Sequence, residues 1–558
     1  MRHVHLERAA RRAPRALILG ASLGVLSACD SLLEVDLPHL LTNDAIGPVG
    51  SAESQVNSAI ALFECGYSEF ATMTLGPEDA MQSIAGVGGG THGYDHTPNT
   101  GACDTSSSST SWFDNIMGAR AILVTQPARL VPTAVGTVTG DFPVGKGVYD
   151  RIQDEWGVGA ISQGRGELLS AIAAIYVAAS IAHLGEFLCE GALGGSDLMT
   201  PGELLDLAET WVGTALGHIA ANGDFEMPFG IAPSAQDMAI AMRARIRWAN
   251  GNLTGAAQDA ATVLAADPEF TAWVTRETGE TRRNKSYHML TDISFSGMLG
   301  INNWWSPAAR SPNPVTGQQW PDPIPFTGYI FLGVMPDGRT LEAGNLPVRW
   351  AEETRDAADQ PISLGNTAVP ETRVPHIYKS TQGPVNQEVP AVYDAEDDDI
   401  PYMTWEELKL IQADRELELG GAANLQNAID LVNELRVDKG LPEISGAYLT
   451  TLTDGTDDFD EVRYMLLEER RREFFAEGGR YWSTKIQNTD VLWFPRLQGE
   501  TPFQGYNLQG AVRQLFAGDE YEQNQYFVDR GGLDARGSGC SSLGTILGGT
   551  GSQAPVAN

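Results

Sequence analysis

Residues that commonly carry metal and redox chemistry are scarce in this chain. It has nine histidines and five cysteines among 558 residues, and no two cysteines form a CxxC pair. It also lacks an HExxH helix and a GxxxxGKS or GxxxxGKT phosphate-binding loop. Its GxSxG match, GASLG at residues 20–24, lies in an apolar N-terminal stretch, where the sequence does not predict the strand-to-helix turn of a serine hydrolase. These absences argue against a metalloenzyme, a P-loop enzyme and a serine hydrolase.

Basic residues are also in short supply. Lys and Arg total 37 against 72 Asp and Glu, which gives a formal net charge of −35. Nucleic acids and anionic membrane surfaces attract Lys and Arg, so this balance argues against both as partners. Glycine and proline are plentiful, with 61 and 30 residues, so long loops are expected beside any helices.

The N-terminus has the features of a lipoprotein export signal. Five arginines precede a short apolar stretch at residues 16–26, which is too short to span a bilayer. The next residues, LSAC, end at Cys29 and resemble the bacterial lipobox. We therefore predict a signal peptide at residues 1–28 and lipid attachment at Cys29. The alternative is an ordinary secretory signal with a chance cysteine.

Four further cysteines leave their pairing open. An exported protein meets an oxidising compartment, where disulfides form. Four cysteines allow three connectivities, and the sequence does not choose among them. Buried free thiols are the alternative for any of the four, which are Cys65, Cys103, Cys189 and Cys540.

Helical periodicity predicts several paired helices. Residues 164–184 and 201–221 form one predicted pair. Residues 236–249 and 251–268 form a second pair, whose latter half follows the pattern of a tetratricopeptide repeat. Residues 50–84 are also predicted to be helical.

A third helix pair is predicted within residues 404–440. Thr404 and Glu407 have the spacing of a capping box, in which each side chain bonds the other residue's backbone N–H. Helix pairs of this size stack side by side. The predicted fold class is therefore mainly α, a tetratricopeptide-like helix-pair scaffold with long loop-rich insertions.

Residues 458–485 predict a long helix that ends at Gly478 and Gly479, because glycine adopts the left-handed conformation without a Cβ penalty. At 100° per residue, Glu469 and Glu473 share one face with apolar residues. Two carboxylates therefore lie within an apolar stripe.

Two interpretations of these carboxylates are open. A buried charge persists when it is paired, so Glu469, Arg470, Glu473 and Arg436 are predicted to form a structural network. Paired carboxylates can also perform acid–base catalysis. The structural interpretation is favoured, because no histidine or metal ligand accompanies them.

Two stretches resemble the SusD/RagB family. Residues 466–486, LLEERRREFFAEGGRYWSTKI, look like its C-terminal signature, and residues 427–442, NAIDLVNELRVDKGLP, resemble a second segment with Arg436 at the expected arginine. Members of that family are surface lipoproteins that capture nutrients, mostly glycans, for a TonB-dependent transporter. The resemblance implies a SusD-like fold, a location on the outer membrane facing the exterior, a SusC-like partner and binding without catalysis.

Residues 270–400 are predicted to be loop-rich and to contain the ligand site. They hold five of the twelve tryptophans. Sugars pack C–H faces on aromatic rings and bond their hydroxyls to amides, and one loop offers both groups. A hydrophobic plug beneath a long loop is the alternative. The candidate ligand residues are Trp304, Trp305, Trp320, Asn302 and Asn303, with Trp112 and Asp79 as weaker candidates.

The remaining predictions concern organisation and cofactors. One domain is predicted at residues 29–535, with helix pairs near 164–268 and 404–487, followed by a disordered tail at 536–558. The acidic loop from Asp394 to Asp399 has oxygen ligands suited to calcium. A solvated loop is favoured there, so no cofactor and no metal is predicted.

Two other functions remain open from the sequence. One is a helical-repeat scaffold that binds a protein or peptide. The other is a glycosidase, since that chemistry needs only two carboxylates and the chain has 72 acidic residues. Whether the ligand is a glycan or a peptide is also open.

Overall fold

The structure is a computed structural model that describes residues 47–74, 78, 81–83, 143–191, 193, 198–278, 282–284, 286–287, 299–301, 349–355, 361–362, 370–379, 387–390, 392–441, 443–445, 449–450, 452–455, 458–488, 513 and 525–532. The chain divides into two compact units, residues 1–51 and 52–558. In the first unit the described backbone includes a 3-10 turn, Val49–Ser51, whose Ser51 hydroxyl donates to the Pro48 carbonyl at 2.7 Å. The predicted signal peptide, Cys29 and the predicted tail at 536–558 lie outside the described residues.

Helices dominate the described part of the second unit. They are α1 (Ala52–Thr74), α2 (Lys146–Asp150), α3 (Gly166–Phe187), α4 (Pro201–Asn222), α5 (Ala235–Ala249), α6 (Leu253–Ala266), α7 (Trp405–Leu419), α8 (Ala422–Asp438), α9 (Asp458–Glu473), α10 (Arg480–Gln487) and α11 (Gln525–Val528). From α3 to α9, each helix packs against the next one along the chain. The predicted mainly α scaffold of paired helices is therefore confirmed.

Helix α3 forms the centre of this scaffold. Almost all of its residues are buried, and α1 and α4 pack against it. It is long and apolar enough to cross a membrane by length and composition, but 94% of its most apolar window is buried inside the protein. A helix that is apolar all round needs cover on every side. Neighbouring helices supply that cover here.

The start of α4 is fixed by a capping box. The Thr200 hydroxyl accepts the Glu203 N–H at 3.3 Å, and the Glu203 carboxylate accepts the Thr200 N–H at 2.7 Å. Pro201 occupies the first helical turn, where its missing N–H removes no helical hydrogen bond. These local signals explain why the sequence placed the start of this helix correctly.

Helices α5 and α6 are joined by one buried carboxylate. Asp259 on α6 accepts two hydrogen bonds from Arg243, at 2.7 and 2.8 Å, and one from Arg247 at 2.8 Å. Bidentate arginine–carboxylate pairs are among the stronger polar contacts in proteins. Two small residues of α6, Ala256 and Ala260, are fully buried as well.

The predicted capping box at Thr404 is only half formed. The Thr404 hydroxyl accepts the Glu407 N–H at 3.3 Å, as expected. The Glu407 carboxylate instead accepts hydrogen bonds from Arg245 on α5 and, at 3.4 Å, from Arg480 on α10. The reciprocal half of the prediction was wrong, because two buried guanidinium groups bind a carboxylate more strongly than one backbone N–H.

Helix α9 ends earlier than predicted. It stops at Glu473, and Ala476 has a positive φ of 62° before α10 begins at Arg480. Gly478 and Gly479 thus form a turn between two helices and do not cap one long helix. Aromatic side chains of α1 and α3 approach this turn closely.

An aromatic cluster fills the space around that turn. Phe70 packs 6.0 Å from Trp482 and 4.8 Å from Phe187, measured between ring centroids. Tyr67 packs 5.0 Å from Tyr402, and its hydroxyl donates to the Gly478 carbonyl at 3.3 Å. A Cβ on Gly478 would lie 2.4 Å from the Tyr67 hydroxyl oxygen. Close packing therefore requires glycine at this position.

Strands occupy described parts of the region that was predicted to be loop-rich. They are β2 (Thr271–Val274), β3 (Leu299–Ile301), β4 (Arg349–Arg355), β5 (Pro361–Ile362), β6 (Pro370–Lys379), β7 (Gln387–Pro390) and β8 (Ile400–Thr404), and a further strand, β1 (Met81–Ser83), lies outside that region. They form a β1–β3 pair, a β2–β8 pair and a four-stranded sheet in the order β5-β4-β6-β7. The strands β4 and β6 are parallel, and the other pairs are antiparallel.

Two sequence expectations change on the N-terminal side. The helix predicted over residues 50–84 ends at Thr74, and Met81–Ser83 is a strand. Cys65 on α1 and Cys189 after α3 are each disulfide-bonded. The free-thiol alternative is therefore wrong for these two cysteines. Cys103 and Cys540 lie outside the described residues.

Candidate functional site

Some of the predicted ligand residues adjoin described strands in the sequence, namely Asp79 before β1 and residues 302–305 after β3. These residues lie outside the described part of the chain: Asp79, Trp112, Asn302, Asn303, Trp304, Trp305 and Trp320. The nearest described backbone is the antiparallel pair of β1 and β3. This strand pair and the scaffold residues connected to it are therefore the part of the candidate site that the structure describes.

The β1–β3 pair joins two distant parts of the sequence. Met81 pairs with Ile301, Gln82 with Gly300 and Ser83 with Leu299. In the sequence, β1 begins two residues after Asp79 and β3 ends one residue before Asn302. The strand ends that adjoin these two candidates therefore lie side by side, although more than 200 residues separate them in the sequence.

A glutamate–arginine cluster joins the four-stranded sheet to helices α8 and α9. It is made of Arg373, Arg436, Glu469 and Glu473. The Arg373 Nη1 donates to Glu469 at 2.7 Å and to Glu473 at 3.2 Å. The Arg436 Nη1 donates to the other oxygen of Glu469 at 2.6 Å. The structure thus brings together three of the four predicted network residues and adds Arg373 from β6.

Burial and ion pairing shift the pKa values of Glu469 and Glu473 in opposite directions. Burial by itself raises the pKa of Glu469, but Arg373, Arg436 and Arg472 outweigh it and lower that pKa to about 2. Burial raises the pKa of Glu473 to about 7, because Arg373 and Lys439 compensate less and Glu406 repels its charge. Glu469 is therefore ionised near neutrality, while Glu473 holds its proton over part of that range.

A partly exposed lysine, Lys439, lies between this cluster and solvent. The Lys439 Nζ lies 2.7 Å from Glu406 and 4.0 Å from Glu473. It also lies 5.7 Å from the ring centroid of Trp405, which places its charge over an aromatic face. The lysine side chain is 31% exposed, whereas that of Glu473 is 5% exposed. Water thus reaches the lysine more readily than the carboxylate.

Arg470 belongs to a different contact set. Its guanidinium pairs with Asp414 on α7, and Asp414 also accepts the Trp248 indole N–H at 2.6 Å. The guanidinium lies 4.8 Å from the Trp248 ring centroid. Arg470 therefore binds the α5 and α7 layer of the scaffold, and its acidic partner is neither Glu469 nor Glu473.

We expect Glu473 to make the folded state less stable as pH rises from about 5 to about 8. The Glu473 carboxyl has a pKa near 7 when folded and an ordinary value of 4.5, so the folded state holds a proton that the unfolded state releases. The protonated Glu473 contributes its full stability at pH values below 4.5, its pKa in the unfolded chain. That contribution is lost as pH rises to about 7, its pKa in the folded protein. Burial raises the pKa of Glu78 to about 8 and adds in the same direction.

The variant Glu473→Gln tests the assignment by differential scanning calorimetry. It removes one titrating group and keeps the side-chain shape, so its melting temperature relative to that of the wild type should increase as pH rises over this range. Glu469, whose pKa is about 2, stays ionised over this pH range and so does not contribute to the pH dependence. Equal slopes in wild type and Glu473→Gln would contradict the assignment.

Metal chemistry finds no support in the described residues. There, no group of three or more His, Cys, Asp or Glu side chains is arranged to hold an ion. In the acidic loop, the Asp398 carboxylate accepts the Asp394 and Ala395 N–H groups, and Asp399 accepts the Arg276 N–H at 2.6 Å. These carboxylates are therefore used in organising the loop backbone.

An open groove of about 570 Å³ lies between α6, α7 and α8. Its lining mixes polar side chains with the apolar Ala257, Ala261 and Leu431, and none of the residues that line it is aromatic. Gln258, Gln412 and Asn427 contribute carboxamides, and Asp430 and Glu434 contribute carboxylates. A groove of this kind offers hydrogen bonds but no ring on which a sugar could stack.

Comparison with known proteins finds likeness among solved structures. No protein-family model and no curated protein matches the chain. It is similar to a SusD-like carbohydrate-binding protein from Bacteroides vulgatus, with 14% identity, 78% of this chain and 83% of that chain covered, and a TM-score of 0.46. A SusD superfamily protein from the same organism is 14% identical, with coverages of 86% and 97% and a TM-score of 0.49. A SusD homologue from Bacteroides thetaiotaomicron is 11% identical, with coverages of 91% and 98% and a TM-score of 0.49. These proteins bear the family name that the motifs at residues 427–442 and 466–486 predicted.

Sequence reasoning missed Arg373 altogether. It lies in a stretch that was predicted to be loop-rich, and 96 residues separate it from Glu469. The available signal was the run of charged and β-branched residues in PETRVPHIYK, which is β6. Nothing in the sequence pointed from that strand to the carboxylates of α9.

Proposed function

We propose that this protein is a lipid-anchored, non-catalytic binding protein on the exterior face of the outer membrane. It captures a glycan or another oligomeric nutrient and delivers it to a SusC-like TonB-dependent transporter. The observation that carries the binding proposal is the pairing of β1 with β3, which joins the ends of two separate candidate ligand segments. The lipobox-like Cys29 and the family resemblance support the anchor and the transporter.

The ligand chemistry follows from the residues next to that strand pair. Asn302 and Asn303 offer amides for sugar hydroxyls, and Trp304 and Trp305 offer rings for sugar C–H faces. Asp79, which precedes β1, adds a carboxylate acceptor from the other segment. A site built from both segments would bind an oligosaccharide by stacking and hydrogen bonding together.

The buried carboxylates support binding without catalysis. Glycoside hydrolysis requires one carboxyl group that protonates the leaving oxygen and a second that attacks carbon or activates water. Glu469 accepts from two arginines, and both glutamate side chains are 5% exposed. An ion pair in this position holds β6 and α8 against α9. We therefore assign Glu469, Glu473 and Arg436 a structural role, and Arg470 a separate one with Asp414.

The test is a calorimetric titration of Trp304→Ala and Trp305→Ala with maltohexaose and cellohexaose as probes. Stacking of a sugar on a desolvated ring is expected to contribute about 1–3 kcal/mol, by analogy with bases on aromatic rings. Each variant should therefore bind about tenfold more weakly, or worse, than the wild type. Thermal melts run in parallel should change little if the rings face the ligand.

A matched control is Trp211→Ala. Trp211 lies on α4 and its ring centroid lies 5.0 Å from that of Tyr149 on α2, so its removal costs packing between these two helices. It should lower the melting temperature and leave affinity unchanged. Wild-type affinity in both Trp304→Ala and Trp305→Ala would remove this loop from the site. A large loss of stability in them would favour the hydrophobic plug.

The groove between α6, α7 and α8 favours a second candidate function, a scaffold that binds an extended peptide. Carboxamides can bond to peptide N–H and C=O groups, and the groove offers three of them. Titration with a mixed peptide library beside the two hexasaccharides separates the candidates. Binding of peptides that is lost in Gln258→Ala and kept in Trp304→Ala would favour the scaffold.

A further inference from the structure

Arg373 connects two parts of the protein that the sequence separates. It lies on β6, an inner strand of the four-stranded sheet, between β4 and β7. Its side chain is 2% exposed and binds Glu469 and Glu473, which are both on α9. The guanidinium therefore ties the sheet to the helical scaffold by a buried, charge-assisted contact.

The sheet in turn reaches the strand that leads into the candidate ligand segment. The last strand of the sheet, β7, lies in contact with β3. Strand β3 ends at Ile301, whose Cα partner is Met81 on β1. A continuous path of contacts therefore runs from α9 through Arg373, β6, β7 and β3 to the strand pair.

Arg436 provides a natural comparison at the same carboxylate. It is also buried, with a side chain that is 1% exposed, and it binds Glu469 at 2.6 Å. Its backbone belongs to α8, which packs directly against α9 within the scaffold. Loss of Arg436 removes a comparable ion pair but leaves the Arg373 link between the sheet and α9.

We propose that Arg373 is a positioning residue for ligand capture, which anchors the four-stranded sheet to α9 and thereby fixes β3, the strand that precedes the candidate ligand residues in the sequence. Its consequence for capture rests on the proposed function. Neither Glu469 nor Glu473 needs to touch ligand for this role. The role differs from that of Arg436, which stabilises contact between helices.

The first arm of the test needs no ligand. Hydrogen–deuterium exchange of the full-length protein is compared for wild type, Arg373→Met, Arg373→Lys and Arg436→Met. We expect Arg373→Met to raise exchange in residues 370–379, 387–390 and 299–301 by about tenfold, relative to exchange in α3 of the same sample. Arg373→Lys should restore part of the protection, because one charge remains to bind the two carboxylates.

Arg436→Met is the control for general destabilisation. It should lower the melting temperature to a similar extent, and its strand exchange relative to α3 should stay at the wild-type ratio. Equal relative strand exchange in the two methionine variants would overturn the proposal. Unchanged strand exchange in Arg373→Met would overturn it as well.

The second arm measures affinity for maltohexaose and cellohexaose by calorimetry at a temperature where all variants are folded. Arg373→Met should weaken binding about tenfold and Arg436→Met should leave it within about twofold. Loosened strands with wild-type affinity in Arg373→Met would overturn its role in capture. If the wild type binds neither probe, glycan capture fails for them while the exchange arm still decides the anchoring of the sheet.

Discussion

Replacement of Glu469 by alanine is expected to lower the free energy of unfolding by about 3–5 kcal/mol. This carboxylate accepts hydrogen bonds from both Arg373 and Arg436, so its loss leaves two buried guanidinium groups with less compensation. The desolvation penalty of a stranded charge exceeds the net gain of an intact pair, which is why removal of one member costs so much. Equilibrium urea unfolding monitored by circular dichroism measures the change.

Glu473→Gln is the matched control for that variant. Glu473 accepts one bond from Arg373, at 3.2 Å, and its raised pKa makes a neutral side chain a close substitute near pH 7. We expect a loss below about 1 kcal/mol. The sequence alone suggested that Glu473 was as important as Glu469. A larger loss in Glu473→Gln than in Glu469→Ala would contradict the assignment of Glu469 as the central partner.

Replacement of Gly478 by alanine is expected to cost about 3 kcal/mol or more. Gly478 has a φ of +61°, which penalises any side chain, and an added Cβ would lie 2.4 Å from the Tyr67 hydroxyl oxygen. Tyr67 is fully buried within the aromatic cluster and cannot swing into solvent. The same unfolding measurement detects the loss, and a change in near-ultraviolet circular dichroism reports repacking of the aromatic rings.

Comparison with Gly440→Ala isolates the part of the loss in Gly478→Ala that comes from close packing. Gly440 follows α8 with a φ of +72°, and a Cβ there would have no neighbour within 4 Å. Its replacement therefore carries the conformational penalty alone, about 1–2 kcal/mol. Similar losses of unfolding free energy in Gly478→Ala and Gly440→Ala would contradict this, because they would show that Tyr67 moves away from an added Cβ at no cost in stability.

Local signals in the sequence predicted the scaffold well. Helices α3 to α8 begin and end within a few residues of the predicted positions, because capping residues and apolar periodicity act over one or two turns. The end of α9 was wrong for the opposite reason. Its two glycines accommodate the aromatic side chains of α1, about 400 residues earlier in the chain, and no local pattern reveals that contact.

The candidate site was less accessible to sequence reasoning. The sequence identified Glu469, because a charge within an apolar stripe stands out, and it identified Arg436 through the family resemblance of residues 427–442. It did not identify Arg373 or the redirected carboxylate of Glu407, since both depend on which distant strand or helix lies opposite. Nor did it predict that β1 and β3 would pair, because three-residue strands leave almost no period to read.

The contact between Tyr67 and Gly478 also constrains the order in which this protein can fold. The two residues are 411 positions apart, and the aromatic cluster that surrounds them draws on both ends of the described scaffold. Until α10 has been synthesised, Tyr67 and Phe70 lack the turn and the indole ring that cover them. Contacts of such long range form slowly, because the entropy of closing a large loop is lost before they reward it. The aromatic core around Tyr67 can therefore be completed only after the last helices of the described scaffold have been made.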